Sequence, residues 1–443
     1  MNSKKFLFSC LILVFSINTQ AQDLQFDSKK LDKFLSLIED NNKGMGSLSI
    51  FKDGKEVYQK TIGLADVENK IKADQATIYR IGSISKTFTA SIIMQMINEK
   101  KLTLDTKLDQ YFPKIENAEK ITIKQMLSHQ SGIFNFTGAL DYMIYSEKPI
   151  TRAALVEKII SYGSSFKPGE KNAYSNSNYV LLSLIAEKID EKSFGQILKD
   201  RIATPNNLSS TYHGGKINSK NHEAYSYTIL EDWRLTKETN MSIPLGAGAV
   251  VSTSTDLNLF FSALFSGKII PKNLVKEMKT IENDYGLGLF QYPYYDQKIY
   301  GHTGGIDGFN SMSAYFLDEK VSISYISNGT VMPVNDIIVG ALNIYFRKEY
   351  ELPSFKPSFE VTSKDLDQYL GTYSSPSFGL KVTITKKGNK LMGQATGQAA
   401  FPLEAFEKNK FKFDPAGIKL EFEPKVKKMT LKQGGAVVEM TKE

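Results

Sequence analysis

Three groups of residues in this chain have the types and spacing of an acyl-transfer site. Ser83 and Lys86 stand three apart in Ile81-Gly82-Ser83-Ile84-Ser85-Lys86-Thr87-Phe88. A helix opening at Ser83 sets hydroxyl and amine on one face, about one turn apart, with N-terminal backbone N–H groups free to bind developing negative charge. Ser-x-x-Lys alone recurs by chance in long chains, so its meaning rests on the partners that the rest of the chain supplies. Further on come Ala173-Tyr174-Ser175-Asn176-Ser177-Asn178-Tyr179, and then Gly301-His302-Thr303-Gly304-Gly305.

These residues supply the parts of nucleophilic catalysis. Ser83 is the expected nucleophile, forming an acyl-enzyme, and its hydroxyl needs a base. Lys86, desolvated and lacking a carboxylate partner, has a lowered pKa and can take the proton. Tyr174, as a phenolate beside Lys86, is the alternative base and a proton donor to the leaving group. Asn176 is expected to orient Lys86 and to hydrogen-bond the substrate's carbonyl region. His302 and Thr303 line the far side, binding a carboxylate or completing a proton network. Gly301, Gly304 and Gly305 allow close backbone approach, and the N–H groups of Ser83 and Gly305 form the oxyanion hole. Tyr292, Tyr294, Tyr295 and Tyr300 either line an aromatic cleft or pack as a strand cluster. His129 reads as a packing residue at a helix end. With His213 and His222 it forms no metal-ligand pattern, and no metal or cofactor is expected.

The elements that must position these groups can be read from the pattern. Ser28–Asp40 has Leu31, Phe34, Leu35 and Ile38 at helical spacing. Gly44–Phe51 and Glu56–Gly63 read as strands joined by an Asp53-Gly54 turn. The apolar run after Ser83 predicts a buried helix that holds the reacting groups rigidly. Residues 99–200 read as mainly helical, with a Thr-capped helix over Ile121–His129 and an apolar helix over Val180–Ile189. Residues 201–245 are polar and irregular, a lid or wall of the cleft. Strands are expected at Tyr285–Gln291, Lys298–Gly301, Ser311–Leu317 and Val321–Ser327, so that the 301–305 segment is a loop between two of them. A helix over Asp336–Phe346 closes this part.

The 443 residues, 41% hydrophobic and 23% charged, suit a globular protein of one large domain and one smaller. Residues 1–21 read as a secretory signal: Lys4 and Lys5, the apolar Phe6–Ile17, and a small-residue cleavage site at Ala21. A retained anchor and a lipid-modified Cys10 are the alternatives. Cys10 is the single cysteine, so cleavage leaves a chain without disulfide, thiol nucleophile or thiolate metal site. It also lowers the formal charge from +7 to +5, a modest balance with no dense Arg/Lys stripe, which argues against nucleic acid. Residues 351–360 read as a linker. Beyond it, short strands at Tyr369–Tyr373, Lys381–Thr385, Phe411–Asp414, Ile418–Phe422 and Val437–Met440, with turns at 388–389, 415–417 and 434–435, predict a small all-β sandwich or barrel.

Taken together, the motifs resemble the serine beta-lactamase-like superfamily of class C beta-lactamases, D-alanyl-D-alanine carboxypeptidases, D-aminopeptidases and related esterases. Ser83-Ile84-Ser85-Lys86 matches its first motif, Tyr174-Ser175-Asn176 a Tyr-x-Asn second motif, and His302-Thr303-Gly304 replaces Lys-Thr-Gly. Leu127-Ser128-His129-Gln130-Ser131-Gly132-Ile133, Phe166-Lys167-Pro168-Gly169-Glu170 and Tyr285-Gly286-Leu287-Gly288 are also similar to family segments. The resemblance spans about residues 25–348. It implies an α/β (α+β) transpeptidase-like domain over 22–350, with an antiparallel sheet flanked by helices and a helical subdomain. Residues 361–443 would be a lipocalin-like appendage. By the same resemblance Ser83 is acylated, Lys86 and Tyr174 are the acid/base pair, and Asn176 supports them. His302, usually Lys in beta-lactamases, makes a lasting positive clamp less available. The expectation is therefore an exported periplasmic or secreted serine hydrolase acting on a small molecule, peptide or ester, with peptidoglycan-derived material among the candidates. A D-alanyl-D-alanine carboxypeptidase, D-amino-acid peptidase or esterase is favoured over a true beta-lactamase or a catalytically silent penicillin-binding-like protein.

Overall fold

Helix α1, Ser28–Asp40, starts where the Asp27 side chain accepts from Lys30 N at 2.9 Å, an N-cap. Its apolar stripe of Leu31, Phe34, Leu35 and Ile38 is buried. Strands β1, Gly44–Lys52, and β2, Lys55–Ile62, come next. Asp53 and Gly54 both have positive φ, 51° and 75°, as a two-residue hairpin turn requires. The computed structural model describes residues 26–443 except 230–231, 283, 356–358, 377, 399, 414–415 and 434–435. The expected signal segment with Cys10 lies outside these residues. So do Lys356 and Pro357 of the expected linker and the turn residues Pro415, Gly434 and Gly435.

Strand β3 is the short Tyr79–Arg80, and helix α2, Ser85–Asn98, comes directly after the Ser83 turn. Then come α3, Asn176–Asp190; β4, Val250–Ser252; and α4, Ser254–Ser266. Strands β5, Phe290–Tyr294; β6, Gln297–Ile306; β7, Phe309–Phe316; and β8, Val321–Thr330, precede α5, Val334–Tyr345. A six-stranded sheet runs β5-β6-β7-β8-β1-β2, antiparallel at every pairing. The central strands are buried on both faces, and alternation decides what each face carries. Leu48, Ile50, Ile323 and Tyr325 meet α1 and α5 in one core. The opposite face of these strands carries serines. Ser313 and Ser324 hydroxyls are 2.7 Å apart, Ser324 donates to Asn258 Oδ1 at 2.8 Å, and Asn258 Nδ2 donates to Ser49 O at 2.8 Å. These small polar residues let α4 lie close on the sheet while pairing the buried hydroxyls of the seam with one another and with Asn258.

Beyond α4 lies the larger core, built on α2 and α3, with Phe88 and Phe260 stacked at 3.7 Å. Residues 85–94 of α2 are all buried, so this helix runs through the interior and not along a surface. The catalytic-candidate part is thus a mixed helix and sheet fold, as expected. The C-terminal part is a closed barrel of eight strands, from Gly371–Ser375 to Ala436–Lys442, filled by Tyr369, Tyr373, Phe411, Phe422 and their neighbours. Three of its strands, Lys390–Ala395, Phe401–Glu407 and Lys428–Gln433, are additional to those expected. Pro402 points outward between inward Phe401 and Leu403, and lysines flank Met429 and Leu431, which disguises the alternation.

Three local expectations are corrected. The α-helix starts at Ser85, because Gly82–Ile84 forms a tighter 3-10 turn. The strand expected at Tyr285 starts at Phe290; Gly286–Leu289 is a turn whose Gly288, at φ +73°, lies against α2, with a Cβ there meeting Ala90 Cβ at 2.5 Å. Residues 301–305 are no loop but the C-terminal half of β6. Two of their glycines serve close packing: a Cβ would stand 1.9 Å from Ser313 O on Gly301 and 2.0 Å from Ile81 O on Gly304. Gly304→Ala is expected to cost about 1–3 kcal/mol through overpacking, read as a lowered Tm. Gly138→Ala, with open space around its Cβ, serves as the unchanged control. Equal Tm values for both variants would show that the Ile81 turn yields freely.

Candidate active site

Ser83 sits in the 3-10 turn between β3 and α2. Gly82 has φ +52°, and a Cβ on it would stand 2.7 Å from Gly305 N. The turn is tied from behind. Ser85 Oγ donates to Gly82 O at 2.7 Å and accepts from Val250 N at 3.1 Å, and Ser311 Oγ donates to Ile81 O at 2.9 Å. Ser83 and Gly305, the two expected oxyanion donors, line one cleft of about 450 Å³ together with Asn176, Ala247 and Ile306.

Lys86, one residue into α2, is fully buried. Its Nζ lies 3.1 Å from Ser83 Oγ, 2.7 Å from Asn176 Oδ1 and 2.7 Å from Ala247 O. No carboxylate is paired with it among the described residues, and burial holds its pKa well below the usual lysine value. A neutral amine has two hydrogens and one lone pair. In that form the carbonyl oxygens of Asn176 and Ala247, which can only accept, would take both hydrogens and leave the lone pair for the Ser83 hydroxyl at 3.1 Å.

Tyr174 precedes α3; burial raises its pKa, the nearby Ser83 hydroxyl lowers it by less, and the phenol holds its proton. The Lys86 ammonium position lies 4.8 Å from the Tyr174 ring centre. Asn176, the first residue of α3, is fixed on its free side by Nδ2 donating to Thr137 Oγ1 at 3.0 Å, and its N–H donates to Asn135 Oδ1 at 2.9 Å. His302 is buried, its ring edge-on to Phe290 at 4.7 Å, and its Nδ1–H donates to Thr303 O at 2.5 Å. Burial first, and Lys86 second, lower its pKa to about 3, so the ring is neutral. Thr303 is exposed, and Tyr292 makes a hydrogen bond to it. The other tyrosines lie elsewhere: Tyr294 packs on Phe316 under α5, Tyr295 is exposed, and Tyr300 packs on Phe265.

The cleft wall facing Ser83 is built from 236–239 and Asp307, the first of these within the segment read as a lid or wall. One side chain braces it. Arg80 of β3 donates to Asp307 Oδ2 at 2.6 Å, Glu238 Oε2 at 2.9 Å, Thr239 O at 3.1 Å and Gly215 O at 2.9 Å. The Arg80 and Asp307 side chains are 2% and 3% exposed. Across the mouth, Lys237 pairs with Glu147 at 2.8 Å, largely in solvent. Arg80, Asp307, Asn135, Thr137 and the Ala247 carbonyl carry no signal in the sequence. A backbone acceptor leaves no residue-type signature, and a buried arginine is identified only by its partners.

An antiparallel sheet layered by helices, with a serine and a buried lysine one turn apart at its cleft, is the frame of a serine hydrolase. A family model described as Beta-lactamase matches residues 36–341, and the chain belongs to that family. It is similar to Penicillin-binding protein 4* of Bacillus subtilis (strain 168), 24% identical over 422 residues, covering 89% of this chain and 93% of the relative. It is also similar to Teichoic acid D-alanine hydrolase of Staphylococcus aureus (strain MRSA252), 24% identical, over 67% of this chain and 72% of the relative. Among solved structures, the D-amino acid amidase from Ochrobactrum anthropi SV3 superposes with TM-score 0.65 at 24% identity, over 72% of this chain and 99% of that one.

Two outcomes are expected from the electrostatics. Arg80→Met strands the buried Asp307 carboxylate and is expected to cost about 3–5 kcal/mol. The exposed pair lost in Lys237→Met is worth about 0–1 kcal/mol. Urea unfolding of the full chain compares them, and equal losses would mean that Arg80 is no brace. His302 has a folded pKa below its ordinary 6.5. Its contribution is therefore complete above that pH and lost as pH falls toward about 3. His302→Gln should shift the acid-unfolding midpoint to lower pH; an unmoved midpoint would place the acid-labile group elsewhere.

Proposed function

We propose that the protein is an exported hydrolase that cleaves a D-amino-acid peptide, amide or ester through an acyl-enzyme on Ser83. The observation that carries this reading is the Lys86 amine, dry, without a carboxylate, and held by two carbonyl oxygens while 3.1 Å from Ser83 Oγ. Ser83 Oγ attacks the carbonyl carbon as its proton passes to the Lys86 lone pair. The developing oxyanion is met by the N–H groups of Ser83 and Gly305. Tyr174, kept protonated by burial, gives its proton to the leaving amine or alkoxide and recovers one from Lys86 through the shared site. Water then attacks the acyl-enzyme with the same groups acting in reverse, returning Ser83 and the free acid.

The substrate class is supported by two considerations. Proteins named for D-alanine and D-amino-acid chemistry are among those similar to this chain, and among its described residues the cleft has no free cation for a β-lactam carboxylate. His302 is neutral and buried, and Lys237 is already paired with Glu147. The N-terminal Lys4-Lys5, apolar run and Ala21 support export.

A fluorophosphonate probe should label the wild-type chain at Ser83, and Ser83→Ala should abolish labelling while leaving Tm unchanged. Lys86→Met should slow turnover of a D-alanyl ester by roughly 10²–10⁴-fold. Wild-type kcat/KM should rise with pH through the lowered Lys86 pKa, since only the neutral amine accepts a proton, and the rise should vanish in Lys86→Met. A folded chain with neither labelling nor turnover of D-alanyl esters, D-amino-acid amides or β-lactams would sink the enzyme reading. Faster turnover of β-lactams than of the others would sink the substrate class.

A further inference from the structure

His129 brackets Tyr174 from three directions. Its backbone oxygen accepts from Ala173 N at 3.0 Å, and its Nδ1 accepts from Ser175 N at 3.1 Å. Its ring lies over the Tyr174 ring, centres 4.5 Å apart and planes 32° from parallel. The residues on either side of Tyr174 are therefore both anchored to one histidine, and the phenol ring rests on that same side chain. This needs an unusual backbone: His129 has φ +59°, which turns the chain after the short helix Ile123–Leu127 so that carbonyl and ring face the same stretch of chain. The imidazole is 3% exposed and is walled on its other sides by Tyr179 at 5.3 Å and Tyr285 at 5.2 Å, while Tyr179 Oη donates to Leu127 O at 2.7 Å.

We propose that His129 is a positioning residue that sets the Tyr174 hydroxyl against Ser83 by holding the backbone on both sides of Tyr174 and the face of its ring. This rests on the reading of Tyr174 as a proton donor. The Ser175 N–H bond requires Nδ1 to be an acceptor, so the imidazole is neutral with its proton on Nε2. Burial favours that neutral form. Tyr174, Tyr179 and Tyr285 are the other titratable groups against the ring, and burial keeps each of them protonated. The packing role assigned to His129 by sequence is thereby sharpened into a specific one: its acceptor atom, as well as its bulk, is required.

Three substitutions test this, each with rates of D-alanyl ester turnover and of Ser83 fluorophosphonate labelling measured on folded protein across pH. His129→Phe keeps a ring and loses the acceptor. His129→Asn keeps an acceptor at the same distance from the backbone and tolerates positive φ. The third is Tyr174→Phe, alone and combined with His129→Phe. His129→Phe should lower kcat about 10- to 100-fold with little change in KM. His129→Asn should recover most of the loss. Tyr174→Phe combined with His129→Phe should be no slower than Tyr174→Phe alone, because both act through one hydroxyl. Multiplying losses, a loss carried in KM and not in kcat, or equal rates in the Phe and Asn variants would overturn the His129 proposal while leaving Tyr174 in place. A Tyr174→Phe enzyme as fast as wild type would instead overturn the reading of Tyr174 itself, and the proposal with it.

Discussion

An amine with no carboxylate beside it, sealed from water, is the constraint on which the rest of the molecule depends. Lysine enters a protein interior at a cost of several kcal/mol per charge unless it is paired, and the cheaper response is to lose its proton. Here the pocket offers Asn176 Oδ1 and Ala247 O to two hydrogens and sets the Ser83 hydroxyl at the third position. Each of those atoms must be fixed from its own side. Thr137 and Asn135 fix Asn176, the start of α3 fixes its backbone, and the turn leading into β4 fixes Ala247. A helix buried on every face, such as α2, is what a rigid amine of this kind demands, since one solvent-facing side would admit water to the pocket.

The sheet edge answers the same constraint from the opposite side. β5 pairs with β6 only as far as Gly301, and the remaining half of β6 turns its edge toward the Ser83 turn. Side chains at Gly82 or Gly304 would each strike backbone across that contact. Glycine at both positions is thus a condition of the approach that brings the N–H groups of Ser83 and Gly305 to one cleft. Arg80, three residues before Ser83, ties Asp307, two residues after Gly305, to the 236–239 wall. Nucleophile turn, sheet edge and cleft wall are in this way held to a common reference, and a displacement of any one is resisted by buried charge and by backbone contact at once.

This division explains what was legible in the sequence. Ser83, Lys86, Tyr174, Asn176 and His302 are side-chain chemistry at fixed local spacing, and the structure brings all five within one neighbourhood. The helices around Leu31–Ile38 and Val180–Ile189, and the Asp53-Gly54 hairpin, carry periodicity or turn signals strong enough to survive without tertiary context. What escaped was nonlocal. His302–Gly305 read as a loop because glycines usually break strands, whereas here they admit a neighbouring turn. The start of α2 shifted by two residues because the Ser85 hydroxyl, bonded to Gly82 O, stabilises a 3-10 turn that no composition rule encodes. Part of the barrel's alternation was hidden by surface lysines and one outward proline.

The histidine at position 302 bears on the charge of the cleft's far side and not on the three polar contacts of Lys86. A lysine at the sheet edge would project a fixed charge into the cleft. The imidazole instead folds back, giving its Nδ1–H to the next carbonyl and its ring to Phe290, and is neutral at any ordinary pH. Lys86 is therefore without a cationic neighbour at position 302; its proton affinity would fall further if a second cation stood nearby and would rise if a carboxylate did. A neutral far side leaves the lysine's tuning to burial. It also leaves the Glu147–Lys237 pair at the mouth as the charged feature that an incoming substrate meets first. On the function proposed above, selection would rest on shape and hydrogen bonding near the scissile carbonyl, with electrostatic sorting at the rim, where solvent weakens it.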